Sequence, residues 1–308
     1  MSGKKLHHKR AIALNLSIDL NSLWRDLRDA IAGNDMDFTS IKLSKAIFLL
    51  SIPMILEMIM ESTFAVFDIY FVSKLGADAV ATVGITESLM TLVYAIGFGL
   101  SIATTAMVSR RIGEKNKRAA SIAAVQAIVT GLIFSFFITV PGIFYSRELL
   151  GLMGANDTMI ESGYKYTMIM LSGNGIIMLL FIINAIFRSA GDAAISMRVL
   201  FLANLLNIIL DPCLIFGWGP FPELGITGAA IATNTGRGIA VIYQFYLLFR
   251  GNGRIKLMIR HLQISFKLIL KLIRLSMGGI GQNIIATSSW IFMVRIIAEF
   301  GSEVLAGY

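Results

Sequence analysis

Glu57, Glu61 and Asp68 stand in one apolar run. At about 100° per helical residue, Glu61 lies about 40° and Asp68 about 20° from Glu57, so the three acids share a narrow stripe. Downstream, Asn207 and Asp211 are spaced i, i+4, follow Asn204, and are succeeded at once by Pro212. Thr233, Arg237 and Gln244 again fall within about 40° of one another on a helical wheel. Glu87 and Asn184 add an acid and an amide in two further apolar runs. Acids, amides and one arginine converging on a common cavity suit the binding and exchange of cations. A charge at membrane depth costs several kcal/mol, so each such group is a functional candidate by default. A plainer role competes at some positions. Asn184, Asn204 and Gln244 can bridge helices at ~0.6 kcal/mol each. Glu57 can pack near the cytoplasmic end, and Arg237 can serve only as counter-charge to one of the acids.

These residues need elements that cross a membrane. Of the 308 residues, 56% are hydrophobic and 15% charged, where a soluble chain carries roughly a quarter charged. The apolar residues gather into runs that reach the ~20 residues needed to span the hydrocarbon core. They do not alternate at period two, so the spans read as helices rather than strands of a barrel. Seven are expected: about Ile47 to Val72, Ala79 to Val108, Ala119 to Tyr145, Tyr164 to Phe187, Val199 to Trp218, Ile226 to Phe249, and Leu275 to Ala298. Pro53, Pro141 and Pro212 fall inside spans, and Pro53 and Pro212 are candidate kinks. Before them, residues 16–31 place Leu20, Leu23, Trp24, Leu27 and Ile31 opposite Arg25, Asp26, Arg28 and Asp29, an amphipathic helix for a membrane surface or for the protein's own loops.

Loop charge orients the spans. Arg110, Arg111, Lys115, Lys117 and Arg118 lie between spans two and three. Arg250, Arg254, Lys256, Arg260, Lys267, Lys271 and Arg274 lie between six and seven. The alternate loops are neutral or acidic, which puts the N-terminus in the cytoplasm. The seventh span restarts the first. Leu50 and Ser51 match Leu275 and Ser276, and at the same offset Glu57 meets Gln282, Gly76 meets Gly301, Asp78 meets Glu303 and Ala81 meets Ala306. The expected organisation is an all-α polytopic membrane protein. It has an N-terminal extension (1–40), a six-helix lobe (41–249), a basic cytoplasmic linker (250–274) and the first helix of a repeated second lobe (275–308). Parallel repeats of this kind occur among secondary transporters. The sequence stops in the opening of that second lobe and reads as part of a longer, two-lobed whole.

The net charge of +8 comes from basic residues placed between spans, so no nucleic-acid partner is expected. A single cysteine, Cys213, excludes a disulfide framework and a thiolate site. His7, His8 and His261 lie outside the spans, which leaves no intramembrane histidine base or ligand. No zincin, nucleophile-elbow or phosphate-loop pattern is present, so an enzyme is not expected, and no cofactor.

The stretches Leu50–Met54 (LSIPM), Phe67–Gly76 (FDIYFVSKLG), Asn207–Pro212 (NIILDP) and Gly225–Thr233 (GITGAAIAT) together resemble the multidrug and toxic compound extrusion (MATE) family, a likeness running from about residue 45 to the end. The resemblance implies twelve helices in two six-helix lobes of a cell membrane, exporting organic cations by antiport against Na⁺ or H⁺. It implies a cation site that includes Asp68, Asn207 and Asp211, with Tyr166 and Thr233 (or Thr227) beside it and bending at Pro53. Na⁺, where it is the coupling ion, would sit at Asp68, Asn207 and Asp211. Glu61 and Arg237 depart from the family pattern and bear on ion stoichiometry and substrate charge. The expected partners are the lipid bilayer and a small cationic or amphipathic drug or metabolite, and the protein is expected to be a monomer. Rival functions are a flippase for lipid-linked precursors, which calls for a basic cavity, and a non-transporting scaffold, which the acid stripes disfavour.

Overall fold

The computed structural model describes residues 42–250, 255–258 and 263–298, with Arg28, Asp29, Ile31 and Gly33. Most of the amphipathic segment 16–31 lies outside the described residues. So do Arg254, Arg260, the three histidines and the repeat positions Gly301, Glu303 and Ala306.

Every regular element among the described residues is helical: α1 (Leu43–Ser73), α2 (Ala77–Gly113), α3 (Lys117–Phe144), α4 (Ser146–Leu152), α5 (Asp157–Ser172), α6 (Asn174–Ser189), α7 (Ala193–Phe216), α8 (Ile226–Arg250) and α9 (Phe266–Ala298). Helices satisfy their backbone polar groups internally, as hydrocarbon demands. Asn116 and Asn156 cap α3 and α5, their side chains accepting from the backbone N–H of Ala119 and Met159, each at 2.9 Å. Gly217, in the left-handed region at φ 71°, ends α7. α1 and α7 run on through Pro53 and Pro212.

Among the described residues six stretches are long and apolar enough to cross a membrane: α1, α2, α3, α5 with α6 as one span, α7, and α9 over Phe266–Ser289. The expected sixth span is present as the helix α8, which falls short of these in hydropathy alone. α8 has the length, at 25 residues, but Thr227, Thr233, Asn234, Arg237 and Gln244 lower its hydropathy. The arrangement accounts for those polar residues, because Thr233, Arg237 and Gln244 are buried inside the bundle rather than turned to lipid.

Other departures are local. The expected fourth span divides at Gly173 into α5 and α6. Asn174 there spends its amide N–H groups on Leu171 O at 2.6 Å and Thr139 Oγ1 at 2.9 Å. The amide of Asn234, from α8, fills the space where Gly173 would carry a Cβ and donates to Ile169 O at 3.2 Å. α9 begins at Phe266 rather than near Leu275, because Lys267, Lys271 and Arg274 are tolerated in a helical end whose long side chains can reach the interface. The loop after α3 contains the short α4.

α8 packs along α7, α1 along α7, and α2 contacts α6, α9, α3 and α5. The seam between α7 and α8 is built on Gly228, Ala232, Gly236 and Ala240, a buried stripe of small residues four apart that allows close approach of two helices. The two basic segments meet at one end of the bundle. Ser121, at the start of α3, donates to Lys256 O at 2.9 Å, and Ser265 N donates to Gln126 Oε1 at 3.0 Å. At the opposite end, Thr158 donates to Asp78 at 3.4 Å, joining the α1–α2 corner to the start of α5.

Candidate functional site

Between α1, α2, α5 and α8 lies a cavity of about 270 Å³. Its polar walls are Glu61 and Asp68 from α1, Glu87 and Tyr94 from α2, Tyr166 from α5, and Thr233 and Arg237 from α8. Local sequence places them. Glu61 and Asp68 are seven apart on α1, as Glu87 and Tyr94 are on α2, so each pair looks the same way. A buried bond of 2.8 Å between the hydroxyls of Thr86 and Thr167 fixes α2 against α5, and with it the adjacent Glu87 and Tyr166. Asn234, wedged at the α5–α6 break, does the same for the adjacent Thr233.

Arg237 is the guanidinium of the cavity and is only 7% exposed. Its Nη2 donates to Glu61 Oε1 at 3.1 Å, and the group lies 5.4 Å from the ring centroid of Phe64. Tyr94 donates to Glu87 Oε2 at 3.4 Å. Asp68 has no hydrogen-bond or ion-pair partner among the described residues, although Glu87 and Arg237 are close enough to interact with it electrostatically.

Behind Thr233 the α7–α8 seam holds a second, fully buried group. Asp211 is 0% exposed. With the Asn207 amide turned so that both its ends are satisfied, Nδ2 donates to Asp211 Oδ2 at 2.7 Å. The amide oxygen then accepts from Thr233 Oγ1 at 3.0 Å and Thr233 N at 3.1 Å. Thr233 therefore stands between the open cavity and the Asn207–Asp211 pair. Among the described residues no three His, Cys, Asp or Glu side chains group closely enough to hold a metal ion.

The residues singled out in the sequence thus separate. Glu61, Asp68, Tyr166, Thr233 and Arg237 line one cavity, and Asn207 and Asp211 adjoin it. Glu57 does not line it: it pairs with Arg188, whose Nη1 lies 3.1 Å from Glu57 Oε1, and ties α1 to the last turn of α6. Asn184 is also elsewhere, accepting from Gln244 Nε2 at 2.7 Å across α6 and α8. Pro53 lies in α1, on the Glu57 side of the acid stripe, and Pro212 directly follows Asp211. Tyr94 and Arg188 were not foreseen. The spacing of Tyr94 from Glu87 is a usable signal for the first; no local pattern marks the second.

A helical membrane bundle with a partly open, mixed-charge cavity between its spans is the architecture of a multi-pass transporter. The MatE family profile matches residues 53–213. The chain is 31% identical over 209 residues to an FAD transporter of Shewanella oneidensis, covering 68% of this chain and 46% of that one. It is 26% identical to a probable multidrug resistance protein, NorM, of Thermotoga maritima, over 87% of this chain and 57% of that one. A MOP superfamily transporter from Pyrococcus furiosus superposes with a TM-score of 0.77 at 28% identity, over 85% of this chain and 57% of that one. This chain belongs to the MATE family of membrane transporters. It spans about half the length of the curated relatives it matches.

Proposed function

We propose that the chain forms the first lobe and the opening of the second lobe of a cation-coupled exporter. It would carry small organic cations, drugs or metabolites out of the cell, with its N-terminus and basic loops in the cytoplasm. The observation that carries this reading is the Asp211–Asn207–Thr233 chain of hydrogen bonds ending at a cavity that also holds Asp68 and Glu87. Three carboxylates against one guanidinium favour a cargo that bears a positive group. A wholly buried carboxylate with no cation in contact can gain a positive charge and lose it again as the protein alternates. A proton suits this arrangement better than Na⁺, since the Asn207 oxygen turns toward Thr233 and away from the Asp211 carboxylate. The multidrug resistance relative supports an export role, and the greater length of the relatives supports a second lobe as partner to this one.

The acidic cavity disfavours the flippase reading. The scaffold reading has no use for a buried Asp211. The test is dye efflux from cells expressing the complete gene, with the Na⁺ and pH gradients collapsed separately. Loss of efflux on collapse of the pH gradient alone is expected. Efflux indifferent to both gradients would defeat the coupled-export reading. Binding of a fluorescent organic cation should weaken as pH falls, because a ligand drives a switch only through its differential affinity for the two states.

A further inference from the structure

The Arg237–Glu61 pair is unequal. Arg237 is fixed, with its side chain 9% exposed, whereas the Glu61 side chain is 46% exposed. The contact is one-pointed: a single Nη2–Oε1 approach of 3.1 Å, with Glu61 Oε2 buried and without a hydrogen-bond partner. A guanidinium presents a planar fork that prefers to grip a carboxylate at two points. Glu61 thus grips Arg237 at one point, from a side chain that has room to leave, with the Tyr94 hydroxyl as a further neighbour of the guanidinium.

The rest of the cavity is of opposite character. Asp68 has no hydrogen-bond or ion-pair partner among the described residues, and Glu87 accepts there from the Tyr94 hydroxyl at 3.4 Å. Phe64, Tyr94 and Tyr166 supply aromatic walls. A simple cation is drawn to Asp68 and Glu87 but offers Arg237 nothing beyond the single contact it already has with Glu61. A simple anion meets the reverse.

We propose that Arg237 is an anion subsite covered by Glu61, and that the cavity therefore selects small aromatic zwitterions, whose carboxylate replaces Glu61 on Arg237 while their ammonium group faces Asp68 and Glu87. This rests on reading the cavity as the substrate site. At about 270 Å³ it lies just below the ~300–1,000 Å³ usual for ligand pockets, which suits a ligand of one fused ring system. Glu61 is then a specificity device: an internal carboxylate that keeps Arg237 neutralised when empty and yields to a better-shaped one.

The test uses three radiolabelled probes on one indole frame, measured by equilibrium binding to the complete gene product in detergent. They are tryptamine (cation), tryptophan (zwitterion) and indole-3-propionate (anion). The wild type should bind tryptophan at least about tenfold more tightly than either of the others. Glu61→Gln, a change at a partly exposed site, should tighten indole-3-propionate binding about tenfold by removing the internal competitor. Arg237→Gln should remove the preference for tryptophan over tryptamine. Tryptamine bound as well as or better than tryptophan by the wild type would overturn the proposal, as would absence of tryptophan binding or an anion affinity unchanged in Glu61→Gln. If Arg237→Gln fails to fold, the wild-type ranking and Glu61→Gln still decide. Tryptamine binding measured across pH and Na⁺ reports separately on coupling, so the selectivity can fail while coupled export stands.

Discussion

Asp211 has one hydrogen-bond partner among the described residues, Asn207, and no cation in contact, so gaining or losing a proton or ion sets the charge of the whole α7–α8 seam. Asp211→Asn keeps the size of the side chain and removes that exchange. Gradient-driven efflux should fall to background while the protein still reaches the membrane, measured as dye efflux against surface expression. Asp68→Asn should lower efflux as well, because it removes the unengaged acid of the cavity. Normal efflux by both variants would take this lobe out of the coupling mechanism. Much at this scale was legible beforehand, because a carboxylate inside an apolar run is costly and helical spacing assigns it a face. Glu57 shows the limit. It shares the stripe with Glu61 and Asp68, yet its partner, Arg188, lies far along the chain, and only the packing of α1 against the end of α6 turns it from cavity residue into structural ion pair.

The seam between α7 and α8 depends on contacts that admit no extra atom. A Cβ on Gly228 would stand 2.3 Å from the carbonyl oxygen of Leu214 and 2.9 Å from the backbone N of Ile215. Backbone cannot rotate aside as a side chain can. Gly228→Ala should therefore destabilise the bundle by about 1–3 kcal/mol and move Thr233 away from Asn207. Gly84→Ala on α2, where a Cβ meets nothing within 4 Å, should leave stability unchanged or raise it by up to about 1 kcal/mol, since alanine is the better helix former. Thermal unfolding in detergent, followed by loss of monodisperse protein, distinguishes the two, and equal midpoints would refute the close-packing account. The same seam explains why α8 is the span that hydropathy renders poorly. Its glycines and alanines serve approach, and its polar residues serve the site or, like Asn234 and Gln244, bonds to neighbouring helices, so little of its sequence is spent on lipid. The stripe Gly228, Ala232, Gly236, Ala240 was available in the sequence as a spacing of small residues. The break at Gly173 was not, because it depends on Asn234 arriving from another helix.

At the scale of the whole molecule, the charge on the loops and the contacts between them can be set against each other. The α2–α3 turn carries Arg110, Arg111, Lys115, Lys117 and Arg118. Its one acid, Glu114, is paired with Arg111 at 2.7 Å and Arg110 at 2.9 Å, bonds that hold its carboxyl below the usual range. The α8–α9 segment, with Lys256 and then Lys267, Lys271 and Arg274, packs beside the start of α3 through Ser121 and Gln126. The two basic segments therefore share one face of the membrane, whichever face it is. The corner bearing Asp78 and the segment bearing Asn156 and Thr158 share the other. Short basic loops stay in the cytoplasm, so both clusters bias the bundle the same way, and acids contribute little to that bias. A reporter fused after Lys117 should read cytoplasmic, and one fused near Asn156 should read external. A single inverted reporter would contradict the bundle's own contacts, and both inverted would overturn the charge argument while leaving the fold intact. Inversion would also reverse the direction in which the cavity must open to export its cargo, so the topology measurement bears directly on whether this lobe belongs to an exporter.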